Sequence, residues 1–224
     1  MQYLFPTMMV IFLSMVSVPA QAEKSAWQGL HLSYGATTQS GNHDFTLSHE
    51  RWGSYEVWAF PVSGSGSALE VGYRWQVGET RLILGPTISV MQGGLSGVRS
   101  WEHAKTGASA QLMYQSEFQA TAGLELGYIV NERLLVTAEA GFAASDASLT
   151  LSGLYRGYTA ESAIEGYVPG EYVSLGINYR FENGATLGLE VGHYLFECED
   201  QWGSVNGELS TDATVVSLEL GFQF

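Results

Sequence analysis

The sequence predicts an all-β fold, a transmembrane antiparallel up-and-down β-barrel. Three observations carry it: period-two alternation in blocks of about ten residues, a regular exchange of short and long connections, and a composition poor in charge. Charged residues make up 14% of the 224-residue chain, which holds 27 Gly, 12 Tyr and 6 Trp. Soluble helical domains carry more Lys and Glu, whereas this glycine and aromatic surplus suits strands and turns. With 23 acidic and 9 basic residues the net charge is −14 at pH 7. Nucleic acid is excluded as a partner, because binding it needs a basic face to neutralise phosphates. The single cysteine, Cys198, can form neither an internal disulfide nor a cysteine-based zinc site.

The chain opens with an address. Phe5 to Val18 form an apolar stretch followed by Pro19 and the small-residue pattern Ala20-Gln21-Ala22. This reads as a secretory signal peptide over residues 1–22, leaving residues 23–224 as the barrel domain. The leader departs from the usual pattern in having no Lys or Arg before its apolar stretch. Beyond Ala22 no window approaches the roughly 18 apolar residues that a spanning helix needs. Export past the inner membrane is expected.

Eight alternating strands follow. The first sets Leu30, Leu32, Tyr34 and Ala36 against His31, Ser33, Gly35 and Thr37. Leu69, Val71, Tyr73 and Trp75 oppose Glu70, Gly72 and Arg74 in the second, and Leu82, Leu84, Pro86, Ile88 and Val90 form the apolar face of the third. The fourth and fifth carry Phe118 to Tyr128 and Val136 to Phe142 on their apolar faces, opposite Glu125 and Glu139. The sixth opposes Val173, Leu175, Ile177, Tyr179 and Phe181 to Ser174, Gly176, Asn178 and Arg180. Leu187, Leu189 and Val191 oppose Glu190 in the seventh; Val216, Leu218, Leu220, Phe222 and Phe224 oppose Glu219 in the last. A soluble sandwich also alternates, so the connections must discriminate. Three are tight (Val77 to Glu79, Asn131 to Arg133, Glu182 to Ala185) and they alternate with four long ones, the asymmetry of an outer-membrane barrel. Aromatic residues near the tight turns, Tyr73, Trp75, Tyr128, Tyr179, Phe181, Phe222 and Phe224, would form one interfacial girdle. Phe222 and the terminal Phe224 also carry the expected assembly signal, read by the barrel assembly machinery.

The opening Trp27-Gln28-Gly29-Leu30, the block Val71-Gly72-Tyr73-Arg74-Trp75-Gln76, the hairpin Gly123 to Gly141 and the closing Val216 to Phe224 resemble the small outer-membrane surface-antigen barrels common in alpha-proteobacteria. These belong with the opacity and OmpA-type eight-stranded barrels. The resemblance covers nearly all of residues 23–224 and implies an eight-stranded barrel in the outer membrane of a Gram-negative bacterium. It implies no ligand.

Some eight-stranded barrels are lipid-A enzymes, and a deacylase of that kind needs a His and a Ser two apart on the lipid face, with a carboxylate to orient the His. His193 has Val191 and Leu195 at those positions, so the nucleophile is absent. The pairs His43-Asp44, His49-Glu50 and Glu102-His103 join an imidazole to a carboxylate in sequence, but neighbours on a strand point to opposite faces. No enzymatic activity, cofactor or metal is expected. The polar face carries more information: Glu70, Glu125, Glu139, Glu190 and Glu219 share it at matching depth, with Arg74 and Arg180 nearer the periplasmic rim and Arg81 a third candidate cation. Eight strands leave an interior that side chains just fill, so an ion-pair plug of these residues is expected rather than a channel. If the short turn centres on Glu132, Glu125 and Glu139 face each other. Two like charges repel there, so Arg180 or Arg74 must reach them and at least one of the two is expected to keep its proton.

Residues 38–66, 92–107 and 144–170 read as long surface connections holding Trp52, Tyr55, Trp58, Phe60, Trp101, Tyr155, Tyr158 and Tyr167. They suit ligand contact, or else the strands extend above the membrane and the rings pack on one another. Weak alternation at 52–60 and 149–151 leaves ten strands as the alternative count. The fourth connection, with Glu197, Glu199, Asp200, Glu208 and Asp212, lacks EF-hand spacing and is expected to be a solvated acidic loop, with cation bridging to lipopolysaccharide phosphates as a second reading. The expected function is a non-enzymatic outer-membrane barrel that contributes to envelope integrity and displays surface loops. The alternatives are a narrow porin-like transport protein and a loop-mediated adhesin. The partners expected are outer-membrane lipid, lipopolysaccharide, the assembly machinery and an extracellular ligand held by the loops.

Overall fold

The computed structural model describes residues 25–49, 53–103, 108–155, 158–202 and 205–224. The expected signal peptide, residues 1–22, lies outside them, as do Glu50 and Trp52. Ten β-segments follow in chain order: β1 (Gly29–His49), β2 (Gly53–Gln76), β3 (Leu82–Gln92), β4 (Ser96–His103), β5 (Ala108–Gln115), β6 (Phe118–Asn131), β7 (Leu134–Tyr155), β8 (Tyr158–Arg180), β9 (Ala185–Trp202) and β10 (Val205–Gln223). All pairings are antiparallel. They run β1–β2–β3–β6–β7–β8–β9–β10 and return to β1, which closes an eight-stranded ring. At the seam Phe224 N donates to Leu30 O at 2.9 Å and Gln223 Nε2 to the same oxygen at 3.2 Å.

The two strand counts considered above have one physical reconciliation. β4 and β5 continue β3 and β6 above breaks at residues 93–95 and 116–117, pairing with each other and, on the far side of β5, with β7. Gly93 turns the first break with φ 88°, a conformation that L side chains rarely adopt. At the second, Asp146 Oδ1 accepts the amides of Glu117 (2.7 Å) and Phe118 (2.8 Å), replacing the lost ladder bonds. The alternation over residues 53–60 and 149–151 belongs to lengthened β2 and β7 rather than to an extra hairpin.

Of the two readings of the long connections, extension of the strands above the membrane is the one the structure takes. β1, β2, β7 and β8 run for 21, 24, 22 and 23 residues, twice the 9–11 that cross a bilayer. Thr38 to His49 pair with Gly53 to Ser65, and Ser145 to Tyr155 with Tyr158 to Val168, so the stretches read as loops stand as barrel wall. Continuous pairing satisfies backbone groups that a long loop would leave to solvent. The three tight turns fall where expected, with Gly78 (φ 59°) and Gly184 (φ 86°) supplying left-handed positions.

The faces separate cleanly. Leu124, Leu175 and Leu220 point outward and are 60%, 67% and 67% exposed, the mark of a lipid-facing belt. Tyr73 and Trp75, Tyr179 and Phe181, and Phe222 and Phe224 pair as rings at the rim with the tight turns. Inside, the lumen is filled in layers. Trp27, Ile83 and Leu135 form a fully buried floor. Above the polar layer described next lie Met91, Val168, Tyr172, Tyr194, Phe196 and Val215, and above them Phe45, Phe60, Val62, Leu95, Leu112, Tyr114 and Leu149.

A buried carboxylate layer as candidate functional site

Period-two alternation on five strands turns Glu70 (β2), Glu125 (β6), Glu139 (β7), Glu190 (β9) and Glu219 (β10) into the lumen. Glu125 and Glu139 are cross-strand partners, as the turn centre implies. Their side chains nevertheless part. Arg74 takes Glu125 in a two-pronged grip, Nε to Oε1 and Nη2 to Oε2 both at 2.7 Å, while its Nη1 donates to Gln223 Oε1 at 3.1 Å. Glu139 accepts hydrogen bonds from the Thr87 hydroxyl and the Tyr172 phenol. Ser33 Oγ donates to Glu219 at 2.7 Å, and His31 Nε2 lies 3.0 Å from Glu70 Oε1.

Two glycines make this layer possible. A Cβ on Gly72 would strike the His31 ring, and one on Gly123 would strike the Tyr172 hydroxyl. Beneath the layer the Arg74 guanidinium lies 6.0 Å from the centre of the Trp27 ring. The cavity left among His31, Glu70, Arg74, Glu125, Glu190 and Glu219 measures about 20 Å³, room for one water molecule. Glu70, Glu139 and Glu190 each bring an oxygen within 4.8 Å of the other two, and these are the residues able to offer a hard cation oxygen ligands.

Arg180 does not join the layer. Its side chain makes no ion pair among the described residues, and its buried Nε has no hydrogen-bond partner. Arg81 is exposed. The described layer thus brings five carboxylates to one guanidinium, Arg74, and one imidazole, His31. His31, Ser33, Thr87 and Tyr172 were not among the sequence candidates. Alternation places all four on the inward face, but a hydroxyl or imidazole on a polar face carries no mark of its partner.

Of the imidazole–carboxylate pairs adjacent in sequence, the described one, His43-Asp44, does not form a site. His43 is fully buried in the upper lumen, where Nδ1 lies 2.8 Å from Thr211 Oγ1 and the ring stacks on Tyr114 at 4.3 Å, while Asp44 faces outward. The outward neighbours Asn42 and Asp44 are polar and exposed, so this height lies above the lipid belt. Burial pulls the His43 pKa down to about 4. Glu50 and the side chains of His49 and His103 lie outside what the structure describes. On the outer face His193 Nδ1 approaches Asp212 at 3.7 Å, between Val191 and Leu195. Phe222 and Phe224 face outward at the periplasmic end, 47% and 68% exposed.

Comparison with known proteins agrees with this architecture. OprG, an outer membrane protein from Pseudomonas aeruginosa, is similar in structure with a TM-score of 0.52 at 12% identity, over 88% of this chain and 96% of that one. Neisserial surface protein A matches over 84% and 97% of the two chains at 12% identity (TM-score 0.39). Ail, the attachment invasion locus protein of Yersinia pestis, matches over 87% and 99% at 11% identity (TM-score 0.35). No curated protein matches the chain. The family model of the outer membrane protein beta-barrel domain matches residues 8–224. With an eight-stranded ring, an outward apolar belt and a match over nearly its whole length, the chain belongs to the outer membrane protein β-barrel domain family, and its place is the Gram-negative outer membrane.

Proposed function

We propose that this protein is a sealed, non-enzymatic barrel of the small surface-antigen, opacity and OmpA-like type, which contributes to envelope integrity and presents its tall wall to the outside. One observation carries the reading: the lumen is packed from the Trp27 floor through the Arg74–Glu125 pair to the Tyr172, Tyr194 and Phe196 rings. A barrel so filled offers solutes no aqueous path. The absence of a serine beside His193 on its strand face supports a non-enzymatic role. Residues 1–22 would be removed on export, Phe222 and Phe224 would engage the assembly machinery, and lipopolysaccharide and membrane lipid would be the standing partners.

The test is a deletion strain. Loss of the protein should raise leakage of a periplasmic reporter enzyme and sensitivity to detergent, and the full chain should restore both. An unchanged barrier in the deletion strain would contradict the reading. In the same strains, slower uptake of small solutes would favour the transport alternative, and lost attachment to host matrix the adhesin.

A further inference from the structure

The charge of the carboxylate layer is not answered by the layer's own residues. Arg74 is committed to Glu125 and Gln223, and Arg180 makes no ion pair among the described residues. The groups around Glu70 and Glu139 meet them as anions: the Thr87 hydroxyl and the Tyr172 phenol both donate to Glu139, and His31 Nε2 points at Glu70 from 3.0 Å. A protonated carboxyl needs an acceptor for its own O–H, whereas these two are faced by donors. Buried anions without a counter-charge are strongly destabilising, so the layer calls for a further cation.

A second, independent observation points to an occupant. His31 is 4% exposed and stands in the wall of the cavity of about 20 Å³, together with Glu70 and Glu190. With Nε2 turned to a carboxylate oxygen, that nitrogen carries the proton and Nδ1 keeps a bare lone pair. Nδ1 is buried and has no hydrogen-bond partner. Buried acceptors are satisfied in folded proteins, and here the chain itself supplies nothing that does so.

Glu70, Glu139 and Glu190 hang from β2, β7 and β9, no two of which are neighbours in the ring. One oxygen from each lies within 4.8 Å of the other two. Calcium holds oxygens at about 2.3–2.6 Å, so opposite ligands stand about 5 Å apart and adjacent ones closer. Magnesium binds more tightly, at about 2.0–2.1 Å, and keeps several waters, for which a cavity of about 20 Å³ has no room.

We propose that Glu70, Glu139 and Glu190 bind one calcium ion inside the lumen, and that the ion, or a water it carries, meets the Nδ1 lone pair of His31. The ion clasps three strands from within. The Trp27 floor and the aromatic layers above shut the lumen on both sides, so the ion enters as the ring closes. The sequence carries no metal motif, because the three ligands lie on strands remote from one another. The inference goes beyond the sealed-barrel reading, since packing alone seals the lumen.

The test unfolds the full barrel in urea with EDTA and refolds it into phosphatidylcholine bilayers with calcium, magnesium or EDTA. Gel filtration then removes loose metal. Elemental analysis should find one calcium ion per barrel, and the urea midpoint should be higher in calcium than in EDTA, with magnesium giving the smaller shift. Terbium in place of calcium should luminesce on tyrosine excitation, through Tyr172, which is bonded to Glu139, and Tyr194, stacked 5.3 Å from it. Glu190→Gln and Glu70→Gln keep the side-chain size and remove the charge. Each should lose the retained metal, the midpoint shift and the terbium signal, whereas Glu117→Gln with Glu165→Gln, both exposed on the outer wall, should keep all three. The heat-dependent gel shift of folded barrels verifies every variant, and the metal content of the unaltered protein depends on none of them. Failure of the unaltered barrel to retain calcium, retention by both lumen variants, or loss in the outer-wall variant would overturn the proposal. None of these results would alter the leakage test, so the two readings fail separately.

Discussion

Arg74 holds the buried layer together, and its truncation is the sharpest single-residue test of the interior. Arg74→Ala would leave Glu125 buried without its cation, a change that costs roughly 3–5 kcal/mol in comparable pairs. Arg180→Ala should cost far less, because Arg180 makes no ion pair among the described residues. Urea unfolding of both variants in bilayers measures the difference, and equal losses would refute the assignment. The five glutamates were legible because alternation fixes which face a residue takes. The choice of Arg74 over Arg180 was not, because it depends on the stagger of strands that are remote in sequence. His43 supplies a second test. Its folded pKa, about 4, lies below the 6.5 of the free side chain, so between these values the unfolded chain binds more protons. Stability is therefore lost as pH falls from 6.5 to 4, by about 3 kcal/mol for a shift of this size. His43→Gln should flatten that acid limb in pH-dependent unfolding relative to the unaltered protein; an unchanged limb would place the proton elsewhere.

Among the strands, the apolar belt and the wall above it should answer differently to the same substitution. Leu124→Arg on β6 places a charge in hydrocarbon and should cost about 2–4 kcal/mol, whereas Val98→Arg on β4, 52% exposed above the belt, should cost about 0–1 kcal/mol. Similar losses in equilibrium unfolding would mean that the belt is misplaced. The last strand bears a separate prediction. Phe224→Asp should reach the periplasm yet insert poorly, seen as loss of the folded form from outer-membrane fractions; normal surface levels would remove Phe224 from the assembly signal. The membrane parts of the strands were written plainly in the sequence, since lipid outside and side chains inside enforce strict alternation. The extensions were legible only as one of two readings. Above the bilayer both faces can be wet, so the glycine and serine of residues 38–66 also suited a loop, although Thr38 to His49 pair with Gly53 to Ser65 across a single bulge. The breaks at Gly93 and Ser116 were hidden, because inward Leu95 and Leu112 leave no gap in the apolar pattern.

Taken as a closed object, the barrel is a cylinder whose contents were legible in kind and not in arrangement. Eight strands imply an interior filled by side chains, and the structure fills it with an apolar floor, a carboxylate layer and two aromatic layers. The sequence held the aromatic residues of the long connections as ligand contacts or as rings packed on extended strands. Phe60 turns inward to the upper packing, and Tyr167 outward to an exposed position, because the strand register continues past the membrane. Conductance across a planar bilayer decides most directly whether this lumen is sealed. Purified barrel inserted at neutral pH should give no stable open level under applied voltage, with brief flickers at most, and Trp27→Ala combined with Arg74→Ala should raise the current. Long-lived, voltage-independent steps of uniform size from the unaltered protein would contradict a sealed lumen.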